Sequence, residues 1–529
     1  MNPDRKVKGT AGLATGGVGR PLREQPCGRV AGEYSTGAGD VKLRCCPALD
    51  NQPPHAHRRG SPCKATRLPV NKGRRRTFSE RATPWAFAPP PACILCLFSE
   101  PPMTSSDARS AADSAVAAHG PRMPELLAPA GSYEKLTTAV DYGADAVYLG
   151  GKSFSLRARA ANFDDETLRR GVDYAHAHGV KAYVTVNIFA HNRDLDGLES
   201  YLAMLRDAGA DGLIVSDPGI LAMARRIVPD VPLHLSTQAN VTNSASVQFW
   251  ADQGVSRLNL ARELGLEEIR AIRAASGVEL EVFVHGALCI SYSGRCMLSN
   301  YLTGRNANQG DCAHPCRYSY AVVEEKRPGQ YFPVEEDERG TYIFNSRDLC
   351  LLHHLPSLVD AGVDAIKIEG RMKSVGYVGA VVRLYRLALE WIREQLLSGQ
   401  PAVSLTLPEA FDNELSKIGT RGQTENFFRA RPSSADMLYD RMRLEQKFVP
   451  VGIVRAVEPL LIETRHVLNC GDHIEYLGPS IEPDTVTVSA MHLEDGTPMS
   501  RANPGNLVVV RTDPPLRHVE PHALLRKHL

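Results

Sequence analysis

From Met123 onward, short apolar runs alternate with windows whose apolar positions recur at helical spacing. Residues 125–131 (ELLAPAG) read as a strand ending in a tight turn. Residues 133–142 then have a helical period and close on Gly143, where a helix C-terminus favours glycine. Residues 146–150 form a second strand, 168–178 a helix closed by Gly179, and 182–188 a third strand. Residues 195–208 are helical, and 212–216 form a fourth strand. The rhythm continues through apolar runs at 233–236, 257–260, 280–284 and 364–368. Eight strand–helix units predict a parallel sheet, and eight is the number that closes. The expected fold is α/β: a TIM-like (β/α)8 barrel over residues 123–397, with residues 289–362 inserted after the seventh strand. An open doubly wound sheet is the alternative, but no GxGxxG opens a helix behind the first strand.

Beyond a long helix at 378–394, residues 398–446 read as a linker bearing Pro and Gly. Short β-type runs follow at 449–454, 464–467, 473–476, 485–489 and 507–510, separated by Gly and Pro turns. Residues 447–529 therefore predict a small β-barrel domain, of a kind that holds RNA or serves as a packing element or lid.

Residues 1–122 have neither period. They carry 19 Lys and Arg against nine Asp and Glu, and 15 of the chain's 36 prolines. This composition predicts a disordered, basic, Pro-rich extension. It reads as an upstream addition ahead of a start at Met103 or Met123, with a basic arm for RNA as the alternative. Cys93 and Cys96 have CxxC spacing but no second pair at a metal-binding distance.

Over the whole chain the formal charge is +1, so a polyanion has to be met by a local patch. No run of 18 apolar residues predicts a membrane span, and the first 30 residues lack the apolar centre of a signal peptide. A cytoplasmic, reducing compartment is expected, where clustered cysteines bind metal more often than they form disulfides.

Four of the 12 cysteines fall within 28 positions: Cys289, Cys296, Cys312 and Cys316, with six, fifteen and three residues between them. They follow the seventh strand, so they lie on the face where barrels of this type carry chemistry. Structural zinc usually takes two CxxC or CxxH pairs, which this stretch lacks. Irregular spacing of four thiols suits an iron–sulfur cluster, with zinc and a chance set of buried thiols as alternatives. Cys350 is a second candidate for the fourth ligand; Cys470, in the C-terminal domain, reads as core.

Polar side chains crowd the ends of the predicted strands. Lys152, Arg157 and Arg159 follow the second, Asn187 ends the third and Asp217 the fourth. Ser236, Gln238 and Asn240 alternate out of the fifth, and Asn259, Arg262 and Glu263 follow the sixth. The eighth delivers Lys367, Glu369, Arg371 and Lys373, the first three on one side of an extended segment. Arg371 and Lys373 form a cationic pair suited to a carboxylate or phosphate. HExxH, GxSxG and the Walker A loop are all missing from the sequence. A hydrolase would have to pair Cys289 with His285.

Several blocks resemble the collagenase-like peptidase family: EVFVHGALCISYSGRCMLS, ELLAPAGSYEKLTTAVDYGADAVYLGG, LSTQAN and IKIEGRMKS, within residues 123–394. GTRGQTENFF and GDHIEYLGP extend the resemblance to residues 419–428 and 471–479. The NQGDCAHPCR block is most similar to the branch associated with prephenate-dependent hydroxylation of the tRNA wobble uridine to 5-hydroxyuridine. The resemblance implies a 4Fe–4S cluster on Cys289, Cys296, Cys312 and Cys316, tRNA as partner and prephenate, a dicarboxylate, as co-substrate. For that chemistry the strand-end residues offer candidates: Arg262, Arg371 and Lys373 for the dicarboxylate, Gln238 and Asn240 for the uracil ring, and His285, Lys367 and Glu369 for catalytic places. Two other functions remain in view: a peptidase, and a non-catalytic RNA-binding factor with a structural cluster. An electron-donor protein is a further candidate partner.

Overall fold

In the computed structural model, the described residues are 121–529 except 157–161, 289–295, 306, 308–311, 314, 316–321, 324–330, 333–334, 338–339, 343–344, 420–421, 431–436, 439–445 and 517. The expectations for residues 1–120 lie outside them.

Eight parallel strands form the first sheet: β1 (Glu125–Pro129), β2 (Ala146–Leu149), β3 (Lys181–Val186), β4 (Gly212–Val215), β5 (Leu233–Leu235), β6 (Arg257–Asn259), β7 (Glu279–Gly286) and β8 (Ala365–Ile368). Each pairs with the next, and β8 pairs with both β7 and β1, so the sheet closes as the eight-unit rhythm predicts. Helices α1 (Tyr133–Asp141), α2 (Asp165–Ala177), α3 (Leu198–Asp207), α4 (Pro218–Ile227), α5 (Ser244–Asp252), α6 (Leu266–Ala275), α7 (Leu355–Asp360) and α8 (Val375–Leu397) alternate with the strands. Alternate side chains of each strand pack outward in one apolar cluster with them: Leu126 and Ala128, Val147 and Leu149, Val184 and Val186.

Helix starts follow local chemistry. Asp164 accepts from Thr167 N at 3.0 Å, so α2 begins three residues before the first apolar position that the periodicity marks. Asp217, grouped above with the polar strand ends, accepts from Gly219 N and Ile220 N with Pro218 behind it; it caps α4.

The insertion adds one strand to the barrel rim. Asp348–Cys350 pairs antiparallel with the end of β7, and Gln423–Thr424 pairs with it in turn. Beyond α9 (Glu409–Ser416), six antiparallel strands close a second, smaller barrel: β9 (Phe448–Ala456), β10 (Leu461–Thr464), β11 (His473–Tyr476), β12 (Asp484–His492), β13 (Leu507–Asp513) and β14 (Leu524–His528). It docks on α1, α8 and α9. The Tyr142 hydroxyl accepts from Leu524 N and donates to Leu477 O, and Glu414 lies between the guanidiniums of Arg383 and Arg526. Burial raises the Glu414 carboxyl pKa, but Arg526, Lys417 and Arg383 together more than offset this and leave it below the usual range. Among the described residues, no helix is long and apolar enough to cross a membrane.

Candidate active site at the barrel mouth

The barrel interior is charged in its lower and middle layers. Glu125, at the start of β1, accepts from Arg257 Nη1 at 2.5 Å and from Tyr183 Oη at 3.0 Å. Above them, Lys367 Nζ lies 2.7 Å from Glu281 Oε1, which also accepts from Asn259 Nδ2. The ammonium sits over the Tyr148 ring at 4.6 Å. Lys367, given a catalytic place from its strand-end position, is thus a buried core cation one layer below the mouth, with Glu281 as its counter-charge. Asn259 belongs to the same layer.

The Tyr148 hydroxyl reaches upward to Ile368 O at 3.0 Å and Glu369 Oε2 at 3.3 Å. Glu369 is half-buried at the mouth. Two residues on, Arg371 turns into the barrel. Its Nη1 donates to Ser155 Oγ at 3.1 Å and Thr185 Oγ1 at 3.3 Å, and its Nη2 to Asn162 Oδ1 at 2.7 Å. Ser155 and Asn162 come from the loop after β2, and Thr185 from β3. Glycine makes room for this residue twice. A Cβ at Gly150 would stand 2.5 Å from Arg371 Nη2, and one at Gly131 would stand 2.0 Å from the Arg371 carbonyl. Gly131 of APAG and Gly150, the first glycine of YLGG, are therefore packing requirements of the arginine in IEGR.

Gln238 and Asn187 meet across the end of β4. Asn187 Nδ2 donates to Gln238 Oε1 at 2.8 Å, and Ser236 Oγ donates to the same oxygen at 3.1 Å. Gln238 Nε2 is buried and has no partner among the described residues. Such a donor costs ~1–3 kcal/mol when nothing satisfies it, so a water or a bound ligand is expected to accept from it. Asn240 takes a left-handed backbone (φ 56°) and spends its amide on Gln238 O at 2.8 Å, so it holds the turn that presents Gln238.

On the β6–β8 side, the Arg262 guanidinium lies 3.9 Å from the Phe283 ring centre and donates to Ala287 O. Lys373 Nζ lies 3.5 Å from Asp348 Oδ2 and 4.9 Å from the Tyr377 ring. Burial raises the Glu263 carboxyl above its ordinary pKa. Lys152 forms an exposed pair with Asp164. Arg157 and Arg159 lie outside the described residues.

His285, also given a catalytic place, faces away from the barrel axis. The register between β8 and β7 shifts from Lys367↔Phe283 to Ile368↔His285, and this bulge sends His285 toward α8. There its Nδ1 meets the Tyr385 hydroxyl at 3.3 Å, and that hydroxyl donates to Val284 O at 2.9 Å. Burial lowers the imidazole pKa to about 4, with Lys373 adding to burial and Asp348 opposing it. Folded His285 thus binds its proton more weakly than the unfolded residue, which titrates near ~6.5. Stability is unaffected by this group above that pH and falls as pH drops from there toward 4. The expected loss is up to about 3 kcal/mol, and His285→Gln should show a shallower decline in urea midpoints over the same range. Equal slopes for the two proteins would contradict it.

Of the four clustered cysteines, Cys289 and Cys316 lie outside the described residues. Cys296 and Cys312 are half-buried. Their segments are tied together, because Ala313 N donates to Ser299 Oγ at 2.9 Å and Arg305 Nη2 approaches Cys312 O. Among the described residues no three His, Cys, Asp or Glu side chains converge as a metal site. Two half-buried thiols on joined segments suit the donor set of an iron–sulfur cluster. Cys350 suits it less: its thiol is buried in the apolar layer beside the Tyr385 hydroxyl, and burial raises its pKa, against the thiolate a ligand must be.

Residues 131–438 match peptidase family U32, and residues 446–526 match the peptidase family U32 C-terminal domain. The chain belongs to peptidase family U32. It is 38% identical over 411 residues to tRNA hydroxylation protein P1 of Bacillus subtilis, spanning 77% of this chain and 95% of that protein. It is 36% identical over 419 residues to tRNA hydroxylation protein P of Escherichia coli, spanning 70% of this chain and 89% of that protein. Over 307 residues it is 37% identical to the 23S rRNA 5-hydroxycytidine C2501 synthase of Escherichia coli, 58% of this chain and 45% of that protein.

Proposed function

We propose that this protein is an RNA-modifying enzyme that hydroxylates the wobble uridine of tRNA to 5-hydroxyuridine, with prephenate as hydroxyl source and an iron–sulfur cluster as cofactor. The observation that carries the reading is similarity across nearly the full length of a tRNA hydroxylation protein. The mouth supplies compatible chemistry. Arg371, Arg262 and Lys373 are cations suited to a dicarboxylate, and Arg371 is fixed as a planar fork. Gln238 offers a hydrogen bond to a base, and Glu369, approached by the Tyr148 hydroxyl, is the carboxylate placed to hold or move a proton. Cys289, Cys296, Cys312 and Cys316 would hold a 4Fe–4S cluster, with Cys316 favoured over Cys350 because the latter thiol is enclosed. When bound, such a cluster supplies single electrons and pins the insertion. The peptidase alternative asked His285 to activate Cys289; a buried, neutral imidazole closed against Tyr385 is poorly placed to do so.

Anaerobic purification followed by iron and sulfide analysis, then incubation with unmodified tRNA and prephenate, tests this. The expected result is about four irons and four sulfides per chain, and prephenate-dependent 5-hydroxyuridine. Cys296→Ser and Cys312→Ser should each lose iron, whereas Cys350→Ser should retain it. Zinc in place of iron, or product without prephenate, would overturn the corresponding part.

A further inference from the structure

The polarity of the Gln238 carboxamide is set by a relay that begins at a backbone amide. Leu156 N, which can only donate, meets Asn187 Oδ1 at 3.2 Å. The Asn187 amide is therefore turned so that its Nδ2 faces Gln238, and it donates to Gln238 Oε1 at 2.8 Å. Ser236 Oγ accepts from Gln238 N at 3.4 Å and donates to that same Oε1 at 3.1 Å. Both lone pairs of the Gln238 oxygen are thereby engaged, and Nε2 is the end left over. Gln238 is 8% exposed, and Nε2 has no partner among the described residues.

The relay belongs to the mouth. Asn187 lies two residues beyond Thr185 on β3 and so takes the same inward side, and Thr185 contacts Arg371. Ser155, beside Leu156, contacts Arg371 as well. One loop therefore orients both the guanidinium and the amide.

We propose that Gln238, with its orientation locked by Asn187, selects a pyrimidine bearing a carbonyl at C4 over one bearing an amino group. This rests on the reading of the protein as a pyrimidine-modifying enzyme. A fixed N–H donor matches the C4 oxygen of uracil and opposes the C4 amino group of cytosine. C4 is next to the reacting C5, and with N3 it is one of the two positions where the bases differ in hydrogen-bond polarity. Gln238 is the specificity-determining contact, and Asn187 is a positioning residue acting through it.

Two substitutions reverse the polarity by different routes. Asn187→Asp places an acceptor opposite Gln238, so that the carboxamide turns, gives Nε2 to Asp and presents Oε1 to the base. Gln238→Glu keeps the Asn187 donor satisfied and makes the free end an acceptor. The test uses anticodon stem-loop RNAs carrying uridine or cytidine at the wobble position. Equilibrium binding and product formation are measured for the full-length holoprotein and both variants. Wild type should prefer the uridine RNA, and both variants should lose at least about tenfold on uridine while shifting the uridine-to-cytidine ratio toward cytidine. Gln238→Met should weaken uridine without any gain for cytidine. An unchanged ratio, or equal losses on both RNAs, overturns the proposal, because damage to the fold moves both RNAs together. A wild type that binds the uridine RNA preferentially but forms no product overturns the proposed activity and leaves this inference standing.

Discussion

Arg371→Lys is expected to lower 5-hydroxyuridine formation by about a hundredfold or more while leaving the barrel folded. The side chain is buried and holds three oxygens from two segments: Ser155 and Asn162 after β2, and Thr185 on β3. Lysine keeps the charge but is a point donor on a flexible stem, so it cannot present two parallel N–H groups to a carboxylate while bridging those oxygens. Losing two or three positioned contacts costs ~2–3 kcal/mol of transition-state stabilisation, which is the hundredfold. Gly150→Ala should reproduce much of this loss without touching the arginine, since its Cβ would stand 2.4 Å from Ser155 Oγ and 2.5 Å from Arg371 Nη2. Initial rates on unmodified tRNA, with circular dichroism as the check on folding, decide it. Wild-type rates in Arg371→Lys would remove the guanidinium from the mechanism and favour a non-catalytic RNA-binding role.

Glu281→Ala should produce the largest loss of stability of any single change in the barrel interior. Lys367 and Glu281 are both buried, with Nζ and Oε1 2.7 Å apart, and Arg257 Nη1 stands 4.0 Å from the other carboxylate oxygen. Removing the carboxylate leaves an ammonium in a site where water cannot replace the lost partner. Breaking a buried pair from one side costs ~3–5 kcal/mol. Replacing both residues, as Glu281→Leu with Lys367→Met, should recover most of that, because no charge is then left buried alone. Urea unfolding of the wild type and the two variants is the measurement. If Glu281→Ala matches the double variant, the ion pair is not what holds this layer.

Both effects trace to residues whose type was visible in the sequence but whose depth was not. Glu281 in LEVFV and Lys367 in AIKI are lone charges inside apolar strands, a signal that two buried groups need each other. The strand-end reading placed Lys367 at the mouth because sequence does not show where along a strand the barrel rim falls; the register, with Lys367 opposite Phe283 and Leu127, puts it below. His285 follows the same alternation in sequence, and a single bulge reverses the side it faces. Asp217 is polar and ends a strand, as an active-site residue would, yet a proline behind an Asp equally marks a helix cap.

The barrel strands were legible because each is a short apolar run between helical windows closed by glycine, such as those ending at Gly143 and Gly179. The last strand of the second barrel, Leu524–His528, was not, since its charges hide its period. Arg526 is buried against Glu414 and Glu475, and Lys527 against Asp472, so these charges belong to the fold. The cradle of Arg371 and the Asn187–Gln238 relay join residues far apart in sequence through ordinary Ser, Thr and Asn side chains, which carry no local mark. The glycines in APAG and YLGG were the one available hint, because each forbids a side chain where another backbone or side chain must approach.

The central claim is that this barrel mouth hydroxylates tRNA. Mass spectrometry of nucleosides from the tRNA of a strain lacking the gene, complemented with wild type or Arg371→Lys, tests it most directly. The account predicts that 5-hydroxyuridine and nucleosides derived from it fall in the deletion strain, return with the wild-type gene and stay low with the variant. Unchanged levels of these nucleosides in the deletion strain, with no other enzyme of the same activity present, would contradict it.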